Sequence, residues 1–252
     1  MNSDLTPASL STRFARLGKA LLPAVRWTLA PAILAALLVP SLSGCAFISQ
    51  LGGALPNIEK ASYTNLAGQT VAIMVWAEDN GVRMDWPNVH LDLAQMIQQK
   101  MLANQASDKP AELKGTRFPV SPASVVRFQE EHPDLAAESV ADIAPRLGVT
   151  RVIYIEIRSF GTRAEAAADL FRGNVTALVN VVEVNQGKGR VAYTDDTLHV
   201  SFPRTAPEEG LPNLGDFPVY HGTLDGLANE IAKRFAPHAN DPDAEYEAYL
   251  PK

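Results

Sequence analysis

Cysteine is almost missing from this sequence, since Cys45 is the only one among its 252 residues. A single cysteine excludes an intramolecular disulfide framework and any metal site built from several thiolates. Basic residues are also fewer than acidic ones. The net charge is −6, and because residues 1–44 contribute +3, residues 45–252 carry −9. An acidic body repels phosphate backbones and anionic headgroups, so we expect no nucleic-acid partner and no electrostatic docking on lipid.

Catalytic signatures are also absent. The sequence contains no G-x-S-x-G, H-E-x-x-H, P-loop or Rossmann glycine pattern. We therefore predict a protein that is not an enzyme, with no catalytic residues, no cofactor and no metal. Two polar groups stay open as alternatives. Asp195, Asp196 and His199 lie on one predicted strand, where Asp195 and His199 would share a face and could join a metal site. His221 could sense pH near neutrality. For both groups, surface or turn residues are the preferred interpretation.

The apolar stretch Trp27–Pro40 is too short for a permanent membrane span. It carries no charge and follows a segment with four cations. As a helix it would reach about 21 Å, against roughly 30 Å for the hydrocarbon core of a bilayer. A basic segment followed by a short apolar segment is typical of an export signal.

The residues after this stretch, Leu42-Ser43-Gly44-Cys45, resemble the bacterial lipobox, which has an aliphatic residue, two small residues and a cysteine. The resemblance implies that residues 1–44 are a lipoprotein signal peptide, removed before Cys45. It also implies a thioether-linked diacylglycerol and an amide-linked acyl chain on that cysteine. Such chains anchor stably, because each buried methylene contributes about 0.8 kcal/mol. The next residue is Ala46 rather than aspartate, which implies transfer to the periplasmic face of the outer membrane.

The remaining chain divides into three parts. Residues 45–66 form the lipidated N-terminus and a short tether, because Gly52-Gly53 and Pro56 interrupt any regular period. Residues 67–238 are predicted to form one α/β domain with a mixed sheet flanked by helices, with α+β as the alternative. Residues 239–252 form an acidic C-terminal tail.

Within the domain, the spacing of apolar residues predicts the elements. Apolar and alternating patterns predict strands at residues 70–76 and 150–160, and a hairpin of residues 171–185 and 189–202. Helical periodicity and end signals predict a helix that Asp85 caps and that extends to Met101, with Pro87 in its first turn. A short helix is predicted from Pro122 to about Gln129, and longer helices over residues 134–147 and 224–235, the first of these two distorted by Pro145. Residues 161–169 are Ala-rich and are interpreted as a loop or a helical turn. In the second strand, Ile153, Ile155 and Ile157 should face the deeper core.

This order of elements resembles a known group of lipoproteins. Arg146-Leu147-Gly148-Val149 leads into Val152-Ile153-Tyr154-Ile155, and a hairpin of residues 173–185 and 187–193 follows. The pattern resembles the curli-assembly and penicillin-binding-protein-activator lipoproteins, within the fold group of the TolB N-terminal domain. The resemblance covers roughly Gly68 to His238. It implies an α/β fold and an accessory role, and it supplies no catalytic residues.

The function that these features favour is that of a non-enzymatic accessory or assembly factor of the cell envelope. Its partners would be the membrane, through lipid on Cys45, and an envelope protein. Trp76 and Trp86 bracket an acidic loop and are candidate contacts for that protein, although both indoles could instead anchor the loop on the core. Two other classes stay open: a small-ligand or transport-auxiliary binding module with an apolar pocket, and an envelope hydrolase with an unrecognised site.

Overall fold

A computed structural model of the protein describes residues 58–77, 79–107, 111–164, 167–205 and 207–239. The predicted signal peptide, including Leu42, Ser43 and Gly44, lies outside the described residues, as does Cys45. The predicted tail also lies outside them, apart from Ala239. Among the helices that are described, none is both long enough and apolar enough to cross a bilayer.

A mixed four-stranded sheet forms the centre of the fold. In spatial order, its strands are β2 (Val71–Ala77), β3 (Arg151–Ala164), β4 (Ala167–Asn185) and β5 (Lys188–Phe202). The first pair, β2 and β3, is parallel, and the other two pairs are antiparallel. A separate two-stranded sheet joins β1 (Ile58–Glu59) to β6 (His238–Ala239).

Helices flank this sheet, which confirms the predicted α/β class. They are α1 (Asn80–Asp85), α2 (Val89–Ala106), α3 (Pro122–Glu131), α4 (Val140–Ile143) and α5 (Asp216–Lys233). A short 3₁₀ helix spans Ala111–Leu113. The distortion predicted for residues 134–147 is present, because α4 is only four residues long and lies between the 3₁₀ helices Pro133–Ala137 and Ala144–Leu147. Pro145 lies in the first turn of the second 3₁₀ helix.

The two faces of the sheet are covered differently. Ile153, Ile155 and Ile157 are fully buried in the main core, together with residues of α2 and α5, as the alternation predicts. Each such burial contributes about 1.5–3 kcal/mol relative to an exposed side chain. On the opposite face, Val152 is buried in a second core that includes residues of α3 and α4. Further along β3, Arg158 and Ser159 are exposed.

Glycines allow two tight features of the sheet. In the turn between β4 and β5, Gln186 and Gly187 have φ angles of 51° and 74°. Two positive φ values in a two-residue turn match the twist of paired strands, and the predicted hairpin is confirmed.

On β4, a Cβ at Gly173 would collide with the Thr223 side chain of α5. Glycine at this position therefore lets α5 approach the sheet closely.

The interpretation of residues 161–169 as a loop or helical turn is wrong, because β3 and β4 continue as paired strands to Ala164 and Ala167. The reason lies in distant contacts. Thr162 Oγ1 donates to Asp216 at 2.7 Å, and Arg163 Nη2 lies 2.6 Å from the same carboxylate, at the start of α5. The Arg163 guanidinium also lies 4.5 Å from the Phe171 ring centroid. These contacts and the strand pairing override the weak preference of an Ala-rich segment.

The last helix begins earlier than its apolar period indicates. It starts at Asp216 rather than near Leu224, so His221 lies inside the helix and not in a turn before it. Pro218 made this segment resemble a loop in the sequence, but proline is tolerated in the first helical turn, where its missing N–H has no intrahelical partner. Asp216 lies in the same turn, where a carboxylate stabilises the positive end of the helix dipole.

The N-terminal part of the described chain is docked on the domain, which therefore extends to Ile58 instead of beginning near residue 67. Tyr63 and Leu66, predicted to belong to the tether, are buried. The Tyr63 hydroxyl donates to Glu183 Oε1 at 2.9 Å and accepts from Arg151 Nε at 3.1 Å. Burial of these two apolar side chains and this polar network explain why the segment is not a free tether.

Candidate functional site

A groove of about 790 Å³ lies at the carboxyl end of β2. It is lined by side chains that include Trp76 from β2, Arg83 and Met84 from α1, His90 from α2, and Gln129 and Glu130 from α3. In α/β proteins, ligands bind preferentially beyond the carboxyl ends of strands. The volume of the groove also falls in the range usual for ligand sites, about 300–1,000 Å³.

Local sequence signals place the groove helices. Asp79 caps α1 by accepting a hydrogen bond from the Gly81 N–H at 2.7 Å, and Ser121 caps α3 by accepting from the Ser124 N–H at 3.1 Å. These caps satisfy N–H groups that would otherwise lack partners at the helix ends. In α2, the apolar face buries residues such as Leu93 and Ile97, and this fixes the direction in which His90 points.

Aromatic and cationic groups cluster around Trp76. The His90 ring is nearly parallel to the indole, with centroids 6.3 Å apart and an interplanar angle of 15°. The Arg83 guanidinium lies 5.9 Å from the centroid of the indole. Burial and, to a lesser extent, the Arg83 charge lower the pKa of His90 from 6.5 to about 4. The imidazole is therefore neutral at neutral pH.

Two buried polar atoms of the groove lack a hydrogen-bond partner among the described residues: His90 Nε2 and Gln129 Oε1. Both side chains are more than nine-tenths buried, with exposures of 8% for His90 and 7% for Gln129. Gln129 Nε2 donates to the Val75 carbonyl oxygen at 2.9 Å. An unsatisfied buried polar atom costs about 1–3 kcal/mol, so both are exceptions that require an explanation.

The two tryptophans that the sequence singles out lie in different surroundings. Trp86 stacks on Tyr220 of α5, with centroids 4.3 Å apart, and packs against the main core. The Tyr220 hydroxyl in turn donates to Asp92 of α2 at 2.7 Å, and burial together with this carboxylate raises the pKa of Tyr220. Trp86 thus fixes the link between α1 and α2 on the core, whereas Trp76 lines the groove. A role for either residue in partner contact stays a prediction.

Asp195 and His199 do not share a face, contrary to the sequence interpretation. A bulge in β5 pairs Asp195 with Val179 but His199 with Thr176, so the two side chains point to opposite sides of the sheet. Asp195 instead lies 2.8 Å from Arg234 and accepts hydrogen bonds from Thr197. In the part of the chain that the structure describes, no cluster of three or more potential metal ligands occurs.

Sequence reasoning missed both unpartnered groups of the groove. His90 gave a usable signal, because it shares the buried helical spacing of Ala94, Ile97 and Met101, where a polar residue is unusual. Gln129 gave a weaker signal of the same kind, because it lies four residues after the buried Val125 in a helix of only ten residues. The groove itself depends on the packing of three helices around the end of one strand.

No protein-family model and no curated protein matches the sequence. Among solved structures, the chain is similar to the PelC dodecamer from Paraburkholderia phytofirmans, with 9% identity and a TM-score of 0.36 over 72% of this chain and 99% of that chain. It is also similar to lipoprotein GNA1162 from Neisseria meningitidis, with 14% identity and a TM-score of 0.32 over 52% of this chain and 80% of that chain. At TM-scores below 0.5, neither similarity assigns a function to the chain.

Proposed function

We propose that this protein is a lipid-anchored accessory factor of the bacterial cell envelope, which contacts an envelope protein through the groove at Trp76. One observation carries the proposal: the groove contains two nine-tenths-buried polar atoms, His90 Nε2 and Gln129 Oε1, without partners among the described residues. Because such atoms are costly to bury unsatisfied, a bound partner that supplies the missing hydrogen bonds accounts for them.

The sequence supports the anchoring half of the proposal. Leu42-Ser43-Gly44-Cys45 supplies the pattern for acylation, and Ala46 favours the periplasmic face of the outer membrane. The resemblance to curli-assembly and penicillin-binding-protein-activator lipoproteins supports an accessory role. Lipid on Cys45 would make attachment independent of the charge of the domain, which is acidic and has no electrostatic attraction to anionic headgroups.

The position of the groove in the domain is compatible with both the lipid anchor and the contact with an envelope protein. The docked N-terminal segment contacts Arg151, which pairs with Val71 at the start of β2. Trp76 lies five residues further along the strand, a separation of roughly 17 Å. A partner in the groove would therefore not compete with the docking of Tyr63.

A second candidate function is that of a small-ligand-binding module, as in a transport auxiliary. The observation that favours it is the groove volume of about 790 Å³, which is sufficient for a small organic molecule. In that case the occupant of the groove would be a free metabolite instead of a protein.

A photo-crosslinking amino acid at Met84 tests the leading proposal, because this side chain lies at the groove and is 81% exposed. In intact cells of the native organism, we expect irradiation to produce a discrete adduct with one envelope protein. The same amino acid at Val191, which is 41% exposed on β5, serves as the control and should give no such adduct. Equal adducts at the two positions, or no protein adduct at Met84, would contradict the proposal.

A further inference from the structure

The unpartnered atoms of the groove specify the chemistry of its occupant. Gln129 Nε2 donates to the Val75 carbonyl, which leaves Gln129 Oε1 directed as a hydrogen-bond acceptor. The occupant must therefore carry an N–H or O–H donor. His90 Nε2 offers one further hydrogen bond and, in a neutral ring, either donates or accepts. A group that carries both a donor and an acceptor can satisfy the two side chains in either tautomer.

The charges around the groove favour an uncharged occupant at its centre. Among the described residues that line it, Arg83 and Glu130 carry opposite charges, so these two side chains together favour neither cations nor anions. An anion would also be repelled by Gln129 Oε1, a buried acceptor. The lining also includes apolar side chains such as Met84, Pro87 and Val126, which suit aliphatic groups.

The surroundings of Trp76 leave less room for a stacked sugar ring. The Arg83 guanidinium lies 5.9 Å from the centroid of the indole, and the centroid of the His90 ring lies 6.3 Å from it. Polypeptide, by contrast, combines polar main-chain groups with side chains that pack on apolar walls, and the lining of this groove offers partners for both.

We propose that the groove binds an extended, uncharged stretch of a partner polypeptide, in which a main-chain N–H donates to Gln129 Oε1 and a second main-chain group bonds His90 Nε2. The inference deepens the proposed function, on which it rests for the identity of the site. It adds that recognition is directed at the peptide main chain, so that neutral segments of different sequence should bind.

Blocked tetrapeptides test this inference with the full mature lipoprotein in detergent micelles. The probes are N-acetyl-Ala-Leu-Leu-Ala-amide and N-acetyl-Ala-Val-Thr-Ala-amide, each compared with analogues in which one internal amide is replaced by an ester. We expect both peptides to bind saturably by calorimetry. At least one ester of each should bind about tenfold more weakly, because it lacks the N–H that Gln129 accepts. Failure of both peptides to bind, or ester analogues within twofold of their parents, would overturn the inference.

The variant His90→Phe separates binding from stability. Phenylalanine keeps an aromatic ring beside Trp76 but removes the unpartnered Nε2, so we expect peptide affinity to fall about tenfold while the thermal midpoint stays the same or rises. His199→Phe, on the exposed face of β5, is the matched control and should leave affinity unchanged. Peptide binding by His90→Phe equal to that of the parent, or a lowered midpoint with retained affinity, would show a structural role for His90.

Binding of other ligands, and the comparison of crosslinking with peptide binding, distinguish this inference from the proposed function. Maltose or acetate binding more tightly than the tetrapeptides would identify a sugar or anion site and would overturn the inference. A Met84 crosslink to a protein in cells, without tetrapeptide binding, would overturn main-chain recognition and leave the accessory role standing. Tetrapeptide binding without any Met84 crosslink would contradict the accessory role and leave main-chain recognition standing.

Discussion

Replacing Glu183 by glutamine is expected to lower the free energy of unfolding by about 3 kcal/mol, because it breaks a buried ionic network. The Glu183 side chain is 10% exposed, and its carboxylate lies 3.7 Å from Arg151, whose side chain is 11% exposed. It also accepts from the Tyr63 hydroxyl, which holds the N-terminal segment. In the variant, the buried guanidinium of Arg151 would lose its counter-ion. The pair with Arg190 adds little, because Arg190 is 72% exposed.

The matched control for this prediction is Glu138→Gln. Glu138 also pairs with an arginine, Arg146, at 3.2 Å, but the two side chains are about one-third exposed, at 34% and 35%. Such a pair contributes about 0–1 kcal/mol. Urea unfolding of the two variants and the parent measures the difference. Equal losses in both variants would show that the network around Glu183 does not hold the N-terminal segment.

The same network predicts a pH dependence. Desolvation raises the pKa of Glu183, but the hydrogen bond from Tyr63 and the charges of Arg151 and Arg190 outweigh it and hold the pKa below its ordinary value of 4.5. A lowered pKa means that this stabilisation is present above pH 4.5 and disappears as the pH falls through the pKa of the folded state. Burial and the hydrogen bond to Glu183 raise the pKa of Tyr63 to about 12, so its contribution is lost only in strong base. Glu183→Gln should therefore flatten the acid limb of the stability curve.

Replacing Cys45 by alanine is expected to abolish lipid attachment altogether. If Cys45 carries acyl chains, labelled palmitate fed to cells will appear in the parent protein and not in the variant. Because the lipobox pattern requires the cysteine at which cleavage occurs, the variant should accumulate as the uncleaved precursor. Ser43→Ala keeps a small residue in the lipobox and should be labelled and cleaved like the parent. A Cys45→Ala form processed and fractionated with membranes as the parent is would contradict the anchoring.

Patterns within single elements were predicted well from the sequence. The alternation of Ile153, Ile155 and Ile157 identified their common face, and the apolar spacing from Val89 to Met101 identified α2. The predicted cap of that helix was wrong, because Asp85 ends α1 and Asn88 precedes α2. Both patterns arise because one side of a strand or helix must be buried, and this requirement is visible locally. The turn between β4 and β5 was also visible in the sequence, because Gly187 has a positive φ and glycine is typical of such turn positions.

Features that depend on contacts between distant residues were missed. The pairing of residues 161–164 with β4 is supported by Asp216, more than fifty residues away along the chain. The docking of Tyr63 depends on Glu183, 120 residues away. A bulge in β5 places Asp195 and His199 on opposite faces of the sheet. The bulge interrupts the two-residue alternation on which the sequence prediction relied. His90 and Gln129 come together only through tertiary packing, so the groove could not be derived from the sequence.

We propose that a lipid on Cys45 attaches this domain, with its Trp76 groove, to the envelope membrane. Mass spectrometry of the N-terminal peptide of the mature protein, purified from native membranes, is the decisive test. We expect a peptide that begins at Cys45 and carries the mass of a diacylglycerol and an amide-linked acyl chain. A mature N-terminus at another residue, or a Cys45 with a free thiol, would contradict it.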